Sequence, residues 1–338
     1  MLSEFDFIRR IRQRASEKNR RVAGLVRGIG DDCAILKQFA GLDTVITTDL
    51  LVEEIDFRRE WTTPRLLGHK ALAVSLSDIA AMGARPRFAL LSIGVPQNIW
   101  RSQFLDHFYE GFYALADAHK VALVGGDVSR TPERIVIDSI VIGETKRGHA
   151  VTRAGARPGD LLYVTSTLGG AGCALSLLEA GTRLVVKKQR ARASALDELL
   201  LRQLCPKPRV AWGIRLGAKK IAAAMIDLSD GLSSDLFHLC EESSVGADIE
   251  AARLPVDSLI MEAGKVKTVQ DALAFALNGG EDYELLFTVR PTDAARVPKK
   301  INGVTVSQIG VITNQRGRIR LIENKRARKL LPHGFAHF

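Results

Sequence analysis

Cysteine is scarce: Cys33, Cys173, Cys205 and Cys240 are the four in a chain of 338 residues. They stand far apart and form no CxxC pair, which argues against a zinc site and a disulfide framework and leaves reduced, small-hydrophobe thiols as the expected role. The seven histidines, His69, His107, His119, His149, His238, His333 and His337, show no metal-ligand spacing. No stretch reaches the roughly 18 consecutive apolar residues of a membrane span. The opening MLSEFDFIRRIRQRASEKNRR alternates charge with apolar residues and offers no signal-peptide core. A soluble, cytoplasmic protein without a membrane partner is expected. GxxxxGK[ST], GxGxxG after a strand, HRD and DFG, HExxH and GxSxG are all missing. A nucleotide user with these absences has to hold phosphates through metal rather than through a lysine loop.

What is present is an enzyme-sized globular chain, 46% apolar and 25% charged with 29 glycines, long enough for two domains. The net charge of +10 fits nucleic acid, a polyanionic substrate or a solvated basic surface. The basic residues gather at Arg9, Arg10, Arg12, Arg14, Lys18, Arg20 and Arg21, in VVKKQRARA and in NKRARK, with few aromatics interleaved and no RNP or finger motif. A solvated basic face therefore ranks ahead of nucleic-acid binding.

Along the chain, an amphipathic helix is expected over residues 3–18, then a hairpin-like pair, DDCAILK and DTVITTDLLV. Thr63-Pro64 starts a helix through TPRLLGHKALAVSLSDIAAMG, with a local break possible in its second half. RFALLSIGVP reads as a strand, 100–119 as a helix, and VALVGGDV and RIVIDSIVIGE as strands. Residues 147–160 concentrate Arg, Gly and Pro and read as the join between domains 1–148 and 149–338. The second half again alternates strands and helices, with a strand at LLYVTST, a glycine turn into a helix at LGGAGCALSLLEAG, helical structure to about 222, then strand, Asp-rich turn and helix in MIDLSDGLSSDLFHLCEES. Strands interleaved with helices imply an α/β or α+β fold, a mixed sheet with helices in each half.

Acids recur at strand ends and in glycine turns: Asp31 and Asp32, Asp49 after Thr47 and Thr48, Asp78, Asp127, Asp227 with Ser229 and Asp230, and Glu281 with Asp282. One such Asp is usually a turn or cap residue. Six turns of this kind in a basic protein are harder to read as caps. Carboxylates with Thr and Ser oxygens suit Mg²⁺, which is typically held with substrate phosphates, while the glycines admit backbone N–H groups to those phosphates. The tightest packing is NGGEDYELLF, residues 278–287, where Glu281, Asp282 and Glu284 crowd one strand entrance. Like charges so close require a positive partner. Magnesium on a nucleotide is the expected one.

GIGDDCAIL, TTDLLVEEIDF, GHKALAVSLSDIAAMGARP, GGDVSR, TRAGARPGD, IDLSDGLSSDL, GGEDYELLF and the terminal GFAHF resemble, in order and spacing, the motifs of the thiamine-monophosphate kinase family, a branch of the aminoimidazole ribonucleotide synthetase superfamily. The resemblance runs from about residue 5 to the end. It implies a homodimer, an N-terminal domain that builds a β-barrel across the dimer, a C-terminal α/β domain, and ATP held with several Mg²⁺ ions, with a K⁺ requirement left open. Carried over, it assigns Asp32, Thr47, Thr48, Asp49, Asp78, Asp127, Asp227 and Asp230 to magnesium. It assigns Tyr109, Gly126, Asp127, Arg153 and Ser229 to ATP, and Asp56, Glu281 and Phe335 to thiamine monophosphate. At Asp56 the family usually has His, so this carboxylate must meet a cationic part of the substrate, point away or bind metal. The implied reaction transfers the ATP γ-phosphoryl group to thiamine monophosphate. A sister synthetase with another acceptor is the alternative, and a nucleic-acid-binding protein ranks below it.

Overall fold

The computed structural model describes residues 25–27, 31–38, 41–185, 194–263, 266 and 268–335. The helix expected over 3–18, most of the basic VVKKQRARA segment, and His337 and Phe338 lie outside the described residues.

The first half builds a six-stranded sheet in the order β1 (Leu25–Arg27), β2 (Ala34–Lys37), β3 (Leu42–Val52), β6 (Val136–Lys146), β4 (Arg85–Val95), β5 (Ala122–Arg130). Every pair is antiparallel except β4 with β5. That parallel pair is joined through helix α2 (Phe104–His119), as a crossover connection requires. The expected helix over 100–119 is thus shorter, preceded by a separate turn at Gln97–Trp100.

Helix α1 (Pro64–Ala81) is the centre of the molecule. Thr63 caps it by accepting from Leu66 N–H at 3.3 Å, and Pro64 takes the first turn, where its missing N–H costs nothing. It runs without the break that its second half suggested. Its surroundings explain why a sequence mixing Leu, Ala, Val and Ser shows no polar face: α1 packs on β3 and β6 below, on α2 above, and on α5 (Val210–Ala218) and β8 (Ala224–Asp227) from the second half. A helix enclosed this way is buried on all sides. Where it crosses α2, a Cβ at Gly68 would stand 1.8 Å from Phe108 O and one at Gly111 1.8 Å from Arg65 O, so the two backbones touch.

The second half forms a sheet in the order β14 (Arg326–Lys329), β13 (Ile319–Glu323), β9 (Gly246–Glu250), β12 (Val304–Thr313), β7 (Leu161–Thr165), β10 (Leu285–Val289), β8, with β11 (Lys300–Ile301) paired to β12. Helices α3 (Gly170–Glu179), α4 (Ala195–Leu204), α6 (Leu232–Ser243) and α7 (Val269–Asn278) complete it. One apolar core runs from Leu72, Ile79 and Phe112 in the first half to Trp212, Met225 and Phe287 in the second. The whole is a mixed-sheet α+β fold, as the alternation of elements implied. All four cysteines are free thiols. Among the described residues, no helix is long and apolar enough to cross a membrane.

Candidate functional site

Three carboxylates from three distant parts of the chain meet where the halves join. Asp32 lies in the turn before β2, Asp78 in the last turn of α1 and Asp227 at the end of β8, and one oxygen from each lies within 4.8 Å of the others. Hydroxyls of neighbouring strands and of α1 support them: Thr47 donates to Asp78, Ser77 to Asp227 at 2.6 Å, and Ser75 to Asp49 at 2.7 Å. Arg153 forks onto Asp32, with Nη2–Oδ1 at 2.8 Å and Nε–Oδ2 at 3.2 Å. Arg27 reaches Asp31 at 3.2 Å, and among the described residues these two guanidiniums do not balance this much acid. Burial pushes the Asp78 and Asp227 carboxyls well above their usual range, and the neighbouring carboxylates push them further. Burial carries Asp49 up to about 6, and burial with the adjacent Asp32 carries Asp31 up to about 7. A site whose buried, crowded carboxyls resist ionisation, and which offers hard oxygen donors, fits a divalent cation such as Mg²⁺.

Strand alternation divides the remaining expected ligands. On β3, Thr47 faces α1 with Asp49, while Thr48 faces the opposite side of the sheet and donates to Asp138 at 2.5 Å. Asp127 on β5 and Asp138 on β6 both register with Ser92 of β4, so they share that outer face with Thr48. Asp138 had no signal in the sequence beyond an acid inside an apolar strand. Tyr109 of α2 and Gly126 and Asp127 of β5 line one groove with Leu91, Tyr113 and Leu123. Gly126 sits at φ +153°, and a Cβ there would stand 1.9 Å from Leu91 O, so only glycine fits. Arg153 and Ser229 lie away from this groove, Arg153 on Asp32 and Ser229 with its carbonyl bonded to Glu281 N–H at 2.7 Å. The turn at Asp230 is held by Asp235, which accepts from Asp230 and Gly231 N–H at 3.2 and 2.9 Å, and Phe335 N–H reaches Asp230 O at 3.1 Å. The tail is thereby drawn to the Asp-rich turn.

The acids of NGGEDYELLF correct the expectation that magnesium offsets their charge, since protein groups partner each one. Lys70 binds Glu281 at 2.9 Å, with Gln203 on the same oxygen. Asp282 accepts from Gly169 and Ala171 N–H at the start of α3, at 2.6 and 3.2 Å, where the helix dipole favours an anion. Glu284 takes both arms of Arg209 and the Thr165 hydroxyl. Asp56 folds one oxygen back onto Val52 N–H at 2.7 Å, closing its own turn, while its carbonyl lies 3.5 Å from Lys70 Nζ. Lys70 and Gln203 were missed in the sequence; a lone lysine inside the apolar run GHKALAV was the available signal.

Residues 30–145 match the family model of the AIR synthase related protein N-terminal domain, and 157–322 match that of its C-terminal domain. The chain is 35% identical over 340 residues to the thiamine-monophosphate kinase of Buchnera aphidicola subsp. Schizaphis graminum, covering 99% of each. It superposes on the crystal structure of thiamine-monophosphate kinase from Stenotrophomonas maltophilia with a TM-score of 0.76 at 37% identity, covering 97% of this chain and 98% of that one. The structure of AaThiL complexed with AMPPCP and TMP matches with a TM-score of 0.82 at 30% identity, over 100% and 97%. The chain therefore belongs to the thiamine-monophosphate kinase family, within the AIR synthase related proteins.

Proposed function

We propose that this protein phosphorylates thiamine monophosphate with ATP, giving thiamine diphosphate and ADP. The observation that carries the reading is the Asp32, Asp78 and Asp227 cluster at the junction of the halves, in a chain of this family. The acceptor phosphate has a second pKa of about 6, so it is largely dianionic at neutral pH and needs no general base. The chain's task is to hold two polyanions together. Several Mg²⁺ ions, when bound, neutralise both phosphates and align the reacting oxygens. Asp32, Asp49, Asp78, Asp227 and Asp230 with Thr47 would hold them from the α1 side, and Thr48 and Asp127 from the outer face. Tyr109, Gly126, Asp127, Arg153 and Ser229 would bind ATP. Glu281 and Phe335 would bind the thiamine moiety, with Asp56 at the edge of that site.

Transfer is direct and in line, without a phosphoenzyme. Residues 1–148 and 149–338 act as the two domains. The protein works in the cytoplasm as a homodimer whose first sheets close into a shared barrel; exposed Leu50, Phe88 and Val124 and the edge strand β5, paired among the described residues with β4 alone, support this.

The test is incubation with ATP, Mg²⁺ and K⁺ plus thiamine monophosphate, thiamine or no acceptor, followed by chromatography of thiamine phosphates and nucleotides. Thiamine diphosphate equal to ADP, formed only from the monophosphate, is expected. ATP binding without that product would favour the sister-synthetase reading, and a protein phosphorylated during turnover would contradict direct transfer.

A further inference from the structure

Glu281 is held more firmly than an ion pair requires. Lys70, 4% exposed in the middle of α1, places Nζ 2.9 Å from Glu281 Oε2. Gln203, 3% exposed near the end of α4, turns its amide nitrogen to the same oxygen. Among the described residues the buried Gln203 carbonyl oxygen has no hydrogen-bond partner, so the polar contact its carboxamide makes is the one to Glu281. Tyr283 OH stands 3.5 Å from the other carboxylate oxygen, Oε1. The backbone is fixed too: Glu281 has φ +63°, a left-handed conformation that non-glycine residues rarely adopt, and its N–H is tied to Ser229 O at 2.7 Å. Amid these restraints the Glu281 side chain keeps 23% of its exposure. The carboxylate is thus fixed from its buried side while part of it stays open to solvent.

We propose that Lys70 and Gln203 are positioning residues that engage Glu281 Oε2 so that Oε1 accepts a hydrogen bond from the amino group of the substrate's aminopyrimidine ring. This rests on the kinase reading above. Because Lys70 cancels the charge of Glu281, the pair selects for a hydrogen-bond donor rather than for a cation. Neither residue touches the transferring phosphate, so their loss weakens acceptor binding and spares the chemical step.

Lys70→Met, Lys70→Arg, Gln203→Leu, Glu281→Gln and the Lys70→Met, Glu281→Gln double variant of the full chain test this. Melting temperature, initial rates against each substrate, and calorimetric binding of thiamine monophosphate are measured. Lys70→Met and Gln203→Leu are expected to raise KM and Kd for thiamine monophosphate by about 10-fold or more, the scale of one lost hydrogen bond to a charged group. The KM for ATP and kcat should stay within about twofold, the mark of a lost ground-state contact. Lys70→Arg should recover most of the affinity, and the double variant should bind no worse than its weaker single parent. Unchanged acceptor KM and Kd in a folded variant would overturn the proposal and make the pair structural. A fall in kcat with KM unchanged would also overturn it, placing Lys70 on the phosphate. If Lys70→Met does not fold, Gln203→Leu decides. A wild-type chain that binds thiamine monophosphate yet forms no thiamine diphosphate refutes the kinase reading separately, and the calorimetric comparison still decides this one.

Discussion

Ser77 Oγ lies 2.6 Å from Asp227 Oδ2, a hydrogen bond from the helix at the centre of the first half to a strand of the second. Both residues are buried, and Asp227 is one of the three carboxylates of the cluster. The donor orients an acid that has few other means of being held. Ser77→Ala is expected to cost about 1–3 kcal/mol, the range for a buried group left unpaired. It should also weaken binding of Mg·ATP. Urea unfolding and nucleotide titration check both effects, and an unchanged affinity would make the bond structural alone.

The same cluster predicts how stability varies with pH. The Asp78 and Asp227 carboxyls lie well above their usual range through burial, then through Asp49 and Asp32 respectively, and burial lifts Asp49 from 3.8 to about 6. The folded chain therefore keeps protons that the unfolded chain has released. Across pH 4 to 6 and above, metal-free stability falls as pH rises. The EDTA-treated protein should melt lower at pH 7.5 than at pH 5, and Mg²⁺ should raise the melting temperature more at pH 7.5. Equal magnesium shifts at both values would contradict this.

Arg209 and Glu284 form a forked ion pair with side-chain exposures of 10% and 4%. Arg209→Leu leaves a carboxylate buried without its cation and should cost about 3–5 kcal/mol. The double variant Arg209→Leu, Glu284→Gln removes the stranded charge and should recover a large part of that loss. Denaturant unfolding of the pair measures it.

Gly126→Ala tests the groove beside Tyr109. A methyl 1.9 Å from Leu91 O forces β5 away from β4 at the point where Asp127 follows. Overpacking of this kind typically costs about 1–3 kcal/mol. The KM for ATP should rise more than the KM for thiamine monophosphate, and the reverse order would remove the groove from the nucleotide site.

Much of this was legible from local chemistry. Thr63-Pro64 marked the start of α1, RFALLSIGVP and RIVIDSIVIGE read as strands where β4 and β6 lie, and acids at strand ends and in glycine turns included Asp32, Asp78 and Asp227 before anything brought them together. What the sequence hid was pairing across distance. Lys70 and Glu281 are 211 positions apart and Arg209 and Glu284 are 75, so nothing in NGGEDYELLF announces the cations that offset its charge. Thr47 and Thr48 look equivalent in a string, yet the pleat sends them to opposite faces, and Asp138 gains meaning only beside Thr48. Helix α1 lacked a polar face because it touches elements of both halves, which no local period reveals.

If the Asp32, Asp78 and Asp227 cluster holds the magnesium on which phosphoryl transfer depends, activity must follow both the metal and Asp78. The most direct measurement is thiamine diphosphate formation by EDTA-stripped protein during titration with Mg²⁺, for the wild type and for Asp78→Asn. No product without metal, recovery as Mg²⁺ is added, and a loss of at least about 100-fold in a folded, equally or more heat-stable Asp78→Asn are predicted. Turnover by the stripped protein, or full activity of Asp78→Asn at the same Mg²⁺ concentration, would contradict it.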